Sequence, residues 1–160
     1  MKGSWITGFV DGEGCFHVGI RKRSKMKVGL EIGLSFSITQ KRSERIVLEK
    51  IQEYFGCGGI KYSSRDDCYT YSVKALKDIK VILKHFKEYP LETTKKESYE
   101  VFKEIYGQIM RKEHLNAELL KEIVEKSYSM NKSGKRKKSK EHYLKKIISK
   151  EKKDPKVRVS

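Results

Sequence analysis

The ten residues Trp5-Ile6-Thr7-Gly8-Phe9-Val10-Asp11-Gly12-Glu13-Gly14 carry two helical stripes at once. Trp5, Ile6, Phe9 and Val10 form an apolar stripe at helical spacing, and Ser4, Thr7, Gly8 and Asp11 form a second stripe of small or short residues at i, i+3, i+4 and i+7. Two stripes predict two packing partners. Ser4 is read as the N-cap, and Gly12 and Gly14 as stop signals, so the helix is expected to end close to Glu13. That puts an acid at the base of the helix. There it opposes the negative end of the helix dipole, which calls for a cation nearby.

Working outward, Phe16, Val18 and Ile20 alternate with Cys15, His17, Gly19 and Arg21, the period-two pattern of a half-buried strand. Val28, Leu30, Ile32, Leu34, Phe36 and Ile38 then alternate with Gly29, Glu31, Gly33, Ser35, Ser37 and Thr39 over six pairs, which excludes a helix. The basic linker from Lys22 to Lys27 becomes the tip of an antiparallel ribbon. A helix is predicted from Ser43 to Phe55, with Val47, Leu48, Ile51, Tyr54 and Phe55 inward and Gly56 as its stop. A shorter hairpin pairs Ile60–Ser63 with Tyr69–Val73. Helices follow at Ala75–Phe86, from Thr94 onward with Thr94 and Glu97 as a capping box, and at Asn116–Tyr128. The order αββαββα plus further helices makes an α+β fold, an antiparallel four-stranded sheet backed by helices on one face. Residues 1–130 form the domain and 131–160 a basic tail, partly disordered or helical. Within the tail, Lys135–Lys138 is a basic run and His142 to Ile148 one or two amphipathic turns.

The face opposite the helices is left wet and carries His17, Gly19, Arg21, Arg23, Glu31, Gly33, Ser35 and Ser37, with Lys61, Ser63, Thr70 and Ser72 from the second hairpin. These side-chain types match the donors and acceptors of a DNA major groove, which admits a two-stranded ribbon. Arg21, Arg23, Lys25 and Lys27 at the ribbon tip suit phosphate. The charge balance agrees: Lys+Arg 37 against Asp+Glu 21 gives +16, which favours a polyanionic partner. Residues 131–160 hold 13 basic and 3 acidic residues, leaving the body at +6.

No apolar run approaches the roughly 20 residues of a membrane span, and the N-terminus lacks the regions of a secretory signal, so an intracellular protein without a membrane partner is expected. Cys15, Cys57 and Cys68 are odd in number and lack a C-x-x-C, favouring neither a disulfide framework nor a zinc site. His17, His85, His114 and His142 are too scattered for a histidine-based metal box, and the D-x-K of Asp78 and Lys80 lies inside an amphipathic helix. Few Ala and Pro among many Lys, Ile, Glu and Tyr suit an AT-rich genome such as that of a chloroplast or mitochondrion.

Ile6 to Gly14 resembles the motif of the LAGLIDADG homing endonucleases, position by position, with Thr7 in place of a usual Ala and Glu13 where Asp or Glu stands. The resemblance covers roughly residues 4 to 128. It implies a site-specific, intron-encoded enzyme of intron homing that hydrolyses phosphodiesters on both strands of duplex DNA, leaving short 3′ overhangs. One copy of the motif implies a homodimer whose interface is Ser4, Thr7, Gly8 and Asp11, bringing two copies of Glu13 together over a nearly palindromic site. Glu13 and Gly12 are then the metal ligands, for Mg²⁺, with Mn²⁺ or Ca²⁺ able to occupy the same site. Gln40, 27 residues after Glu13, resembles the family's glutamine beside the attacking water, and Lys96 its active-site lysine. Four positions after the glutamine, where some relatives carry a basic residue, stands Glu44, flanked by Arg42 and Arg45. The alternative on the same scaffold is an intron RNA-binding splicing cofactor or a DNA-binding protein that does not cleave.

Overall fold

The computed structural model describes residues 1–130 and 138–153. Residues 135–137 of the basic run therefore lie outside the described residues. The elements are α1 (Gly3–Glu13), β1 (Gly14–Lys22), β2 (Leu30–Lys41), α2 (Arg45–Phe55), β3 (Gly59–Ser63), β4 (Cys68–Val73), α3 (Leu76–Glu88), α4 (Lys95–Met110), α5 (Ala117–Ser129) and α6 (Lys140–Lys153), with short 3₁₀ turns at Arg42–Glu44 and Glu113–Leu115. One four-stranded sheet has the order β1-β2-β4-β3. The αββαββα order and the helices beyond it are those expected from the periodicities.

Two compact units divide the chain: Met1–His17 with Leu34–Tyr99, and Val18–Gly33 with Glu100–Ser160. In the first unit, β2 and β4 run antiparallel with Ser37 opposite Ser72 and Thr39 opposite Thr70, and β3 pairs with β4 so that Lys61 faces Thr70. Phe16, Phe36, Ile38, Tyr71 and Val73 point to the helix-bearing side and are buried. Phe16 and Phe36 meet at 5.2 Å between ring centroids, and Phe86 of α3 packs edge-on to Phe16 at 5.6 Å. Leu48, Ile51 and Phe55 of α2 and Ile79, Ile82 and Phe86 of α3 complete this core. Gly56 closes α2 in the left-handed region (φ 63°), which a glycine adopts without steric penalty.

In the second unit, the β1–β2 turn is closed by Arg23 N–H donating to Gly29 O at 2.9 Å. Val28 and Leu30 of this hairpin pack with Ala117, Leu120 and Val124 of α5 and Ile147 of α6. Asn116 caps α5, its side-chain oxygen accepting from Glu118 N at 2.9 Å and Leu119 N at 3.2 Å. The one or two turns expected around His142 are a helix of 14 residues.

Several local expectations are corrected. The first helix begins at Gly3, with Lys2 rather than Ser4 at the N-cap and no side-chain cap. Within the expected apolar stripe, Ile6 and Val10 are fully buried, whereas Trp5 is 46% exposed. The fourth helix begins at Lys95, where the Thr93 hydroxyl accepts from Lys95 N at 3.2 Å, so the start is set by Thr93 rather than by a Thr94–Glu97 box. Tyr54, expected inward, is partly exposed and rests edge-on against His85.

Candidate functional site

Helix α1 is best understood as four ladders of i, i+4 residues. Ile6 and Val10 enter the core. Thr7 and Asp11 follow one residue later and face a polar seam made by α3 and the segment before α4. Ser4, Gly8 and Gly12 form the third ladder, and Trp5, Phe9 and Glu13 the fourth. The third and fourth ladders are open or half-open to solvent, and Trp5 and Phe9 stack at 5.1 Å with an interplanar angle of 11°.

This rotation splits the expected interface stripe, with Thr7 and Asp11 on one ladder and Ser4 and Gly8 on the next. Thr7 is only 6% exposed, its hydroxyl donating to Tyr89 O at 3.0 Å and lying 3.3 Å from His85 Nε2. Asp11 accepts from Glu92 N at 3.0 Å, Thr93 N at 3.3 Å and Thr93 Oγ1 at 2.8 Å. Both side chains are thus committed to their own chain. Desolvation pushes the Asp11 carboxyl up, but the bonds from Glu92 and Thr93 and the charge of Lys95 outweigh it and hold it below its usual range. Ser4 and Gly8 remain on the open face. A Cβ added at Gly8 or Gly12 would meet nothing within 4 Å, so neither glycine is required by packing inside its own chain.

Asp11, by fixing Thr93, also fixes the start of α4. The consequence is chemical: the ammonium of Lys95 reaches back to the carbonyls at the end of α1, donating to Gly12 O at 3.3 Å and to Gly14 O. These are carbonyls that a helix end leaves without intrahelical partners. A cation therefore sits at the terminus that carries Glu13, as the dipole argument requires. It is Lys95; Lys96, the residue that the resemblance gives as the active-site lysine, is exposed at the next position. Glu13 itself is exposed at the helix end. Gly14 both caps α1 and starts β1, and a Cβ there would come within 2.5 Å of Val10 Cγ1, so only glycine fits.

Gln40 is half-buried near the end of β2, opposite Tyr69, and follows the parity of Phe36 and Ile38. Neither arginine flanking Glu44 is idle. Arg45 pairs with Glu49 at 2.7 Å and lies over the Tyr69 ring at 5.0 Å, while Arg42 lies over Tyr62 at 5.9 Å. Both lean on the β3–β4 tyrosines.

The outward faces of the strands match the expected pattern. In the first unit His17 and Lys61 are exposed, and Ser35, Ser37, Ser63, Thr70 and Ser72 are half-exposed. The register lines up Thr39, Thr70 and Lys61 in one row and Ser37 with Ser72 in the next. Thr39 and Thr70 hydroxyls are 2.8 Å apart. In the second unit Arg21, Lys25, Lys27 and Gly33 are exposed and Gly19 is half-exposed. Arg23 pairs with Glu31 across the hairpin at 2.6 Å. Among the described residues no three His, Cys, Asp or Glu side chains converge, and no helix is long and apolar enough to cross a membrane.

Residues 6–106 match the family model described as LAGLIDADG endonuclease. The chain belongs to the LAGLIDADG endonuclease family. Homing endonuclease I-ApeII of Aeropyrum pernix is 31% identical over 150 residues, covering 88% of this chain and 87% of that protein. An uncharacterized protein of ND4 intron 1 in Podospora anserina is 39% identical over 113 residues, 69% of this chain and 25% of its own length. The chain spans 24–29% of the length of three relatives from Podospora anserina and Neurospora crassa with which it shares 30–39% identity. Among solved structures, the archaeal intron-encoded homing endonuclease I-Vdi141I complexed with DNA superposes with a TM-score of 0.86 at 29% identity, covering 93% of this chain and 96% of that one.

Proposed function

We infer that this LAGLIDADG protein is a homing endonuclease that binds a long, nearly palindromic duplex as a homodimer and cuts both strands with Mg²⁺, leaving short 3′ overhangs. The observation that carries the reading is the junction of α1: Glu13, the Gly12 carbonyl and Lys95 gather where the open Ser4–Gly8–Gly12 ladder ends. Interior glycines cost a helix about 1 kcal/mol each relative to alanine. Gly8 and Gly12 have no packing reason in their own chain, whereas a second α1 crossing closely over them supplies one. The match along nearly the whole of I-ApeII and I-Vdi141I supports a single-motif subunit.

The donor set at the junction is all oxygen, the Glu13 carboxylate and the Gly12 carbonyl, which suits a hard divalent cation. When bound, Mg²⁺ supplies Lewis-acid activation of water and neutralises the leaving oxygen. One chain offers one carboxylate there, so the site is completed by the partner's equivalent end of α1. Lys95 stabilises negative charge developing on the phosphate, and Gln40 orients the attacking water. The outward residues His17, Gly19, Gly33, Glu31, Ser35, Ser37, Lys61, Ser63, Thr70 and Ser72 read base edges. Arg21, Arg23, Lys25 and Lys27 hold phosphates. Intron-encoded relatives support an intron origin for this chain as well.

The test is Glu13→Gln in a cleavage selection from a randomised duplex library with Mg²⁺. Cleavage is expected to fall at least about 10²-fold while duplex binding is retained. Undiminished cutting removes Glu13 from the mechanism, and preference of the wild type for structured RNA over duplex replaces this reading with the splicing role.

A further inference from the structure

The β1–β2 hairpin, whose tip is the most basic part of the strand pairs, has support of its own. Residues 18–33 cluster with residues 100–160 in one compact unit. Within that unit the support is specific. The Tyr143 hydroxyl of α6 donates to the Ile20 carbonyl at 3.1 Å. Leu144 and Ile147 pack on the apolar side of the hairpin at Val28 and Leu30, with Ile20 and Ile32 at the edge of the same cluster. α6 is in turn fastened to α5, Glu151 pairing with Lys121 at 2.8 Å, and Tyr128 donates to the carbonyl of Lys138 just before α6.

A two-stranded ribbon alone is marginally stable in water, and one whose outward face is polar needs its other face covered. α5 and α6 provide that cover. Ile20 sits between Gly19 and Arg21, two of the outward positions assigned to DNA, so a bond on its carbonyl fixes the pleat that aims both.

We propose that α6 is a positioning element for target discrimination: through Tyr143 on Ile20, and Leu144 and Ile147 beneath Val28 and Leu30, it sets the aim of the β1–β2 hairpin at the base pairs that hairpin reads. Tyr143 is a positioning residue. This rests on the reading of the chain as a DNA endonuclease, and the experiment separates the two.

In the full chain, Tyr143→Phe keeps the ring and removes the hydroxyl. Hydrogen exchange of amides 18–33 is expected to accelerate about fivefold, the equivalent of one ordinary hydrogen bond, with amides of β3 and β4 unchanged. Cleavage of the best duplex from the library keeps its single-turnover rate. Preference over duplexes changed at one base pair under the hairpin falls about fivefold, and preference at the central base pairs stays as in the wild type. A lesion of general stability would instead move both sets of amides and both sets of base pairs together. Unaltered exchange in 18–33, unaltered preference under the hairpin, or a uniform loss overturns the proposal. Failure of the wild type to bind any duplex specifically overturns the endonuclease reading instead, and the exchange result then still decides whether Tyr143 braces the hairpin.

Discussion

Thr7 and His85, 78 residues apart in sequence, share a buried hydrogen bond whose direction is determined by its neighbours. The Thr7 hydroxyl proton is used on Tyr89 O at 3.0 Å, so His85 Nε2, 3.3 Å away, must donate to the threonine oxygen. His85 Nδ1 is then the bare nitrogen, and it accepts from the Tyr54 hydroxyl at 3.2 Å. The imidazole is neutral, in a single tautomer, with both nitrogens satisfied.

Burial pulls the pKa of His85 down from 6.5 to about 4, against a smaller upward pull from Glu88. A group that is harder to protonate when folded stabilises the fold above its unfolded pKa. Stability is therefore full above pH 6.5, declines as pH falls toward about 4, and levels off below it. The change amounts to roughly 3 kcal/mol. Denaturant titrations at pH 7.5 and 4.5 are expected to show it, and His85→Gln to flatten that slope whatever it does to stability at neutral pH.

Substitutions at Gly8 test folding and the proposed self-association separately. With open space around its Cβ position, Gly8→Ala should stabilise the isolated chain by about 0.5–1 kcal/mol through helix propensity. Gly8→Leu should leave the circular dichroism spectrum intact and weaken self-association at least about tenfold, because a close helix crossing cannot take the added bulk. Sedimentation equilibrium checks this; unchanged association of Gly8→Leu places the interface elsewhere.

Adjacent lysines give an internal control. Lys95→Met is expected to slow cleavage by about 10²- to 10³-fold, the scale of losing one stabiliser of transition-state charge. Lys96→Met, on the exposed neighbouring position, should stay within about twofold. Single-turnover cleavage of one duplex by both variants decides the assignment.

Asp11→Ala removes the acceptor for Glu92 N, Thr93 N and the Thr93 hydroxyl. Unfolding should become easier by about 1–3 kcal/mol, and exchange of the first amides of α4 should rise. Because the native carboxyl lies below its ordinary range, its contribution is present above the usual carboxylate pKa and disappears as the pH drops through the depressed value. The alanine variant should therefore lose part of the wild type's dependence on acid.

The strands and most helices were legible because each depends on a local period: Leu30 to Ile38 alternates as a strand, although Val28 and Gly29, which continue the same alternation, belong to the turn before it, where Gly29 takes a φ of 76°, and Gly56 ends α2. The faces of α1 were less so. Trp5 and Phe9 have core-like chemistry and lie outward, and only the tertiary demand for Ile6 and Val10 in the interior selects among four ladders at the same spacing. Lys95 was hidden for a related reason. The start of α4 is fixed by Asp11, more than 80 residues upstream, and a shift of one position exchanges two identical residue types. The bond between Asp11 and Thr93 leaves no trace in either neighbourhood. His85 carried the right signal, an imidazole amid Ile79, Ile82 and Phe86, but its partners Thr7 and Tyr54 come from two other segments. The full extent of α6 was also obscure, since its packing partners Val28 and Leu30 already had a place in a strand.

The α1–β1 junction has no loop: Glu13 ends the helix and Gly14, pressed against Val10, begins the strand. Strand side chains alternate sides with every residue, so inserting or deleting one residue here would turn Phe16 and Val18 to water and Cys15 and His17 inward. Sequence drift at this boundary is thus confined to replacement. The outward positions of β1 can be exchanged freely while their distance along the chain from the acid stays frozen, which lets the surface diversify without ever losing phase with the acid.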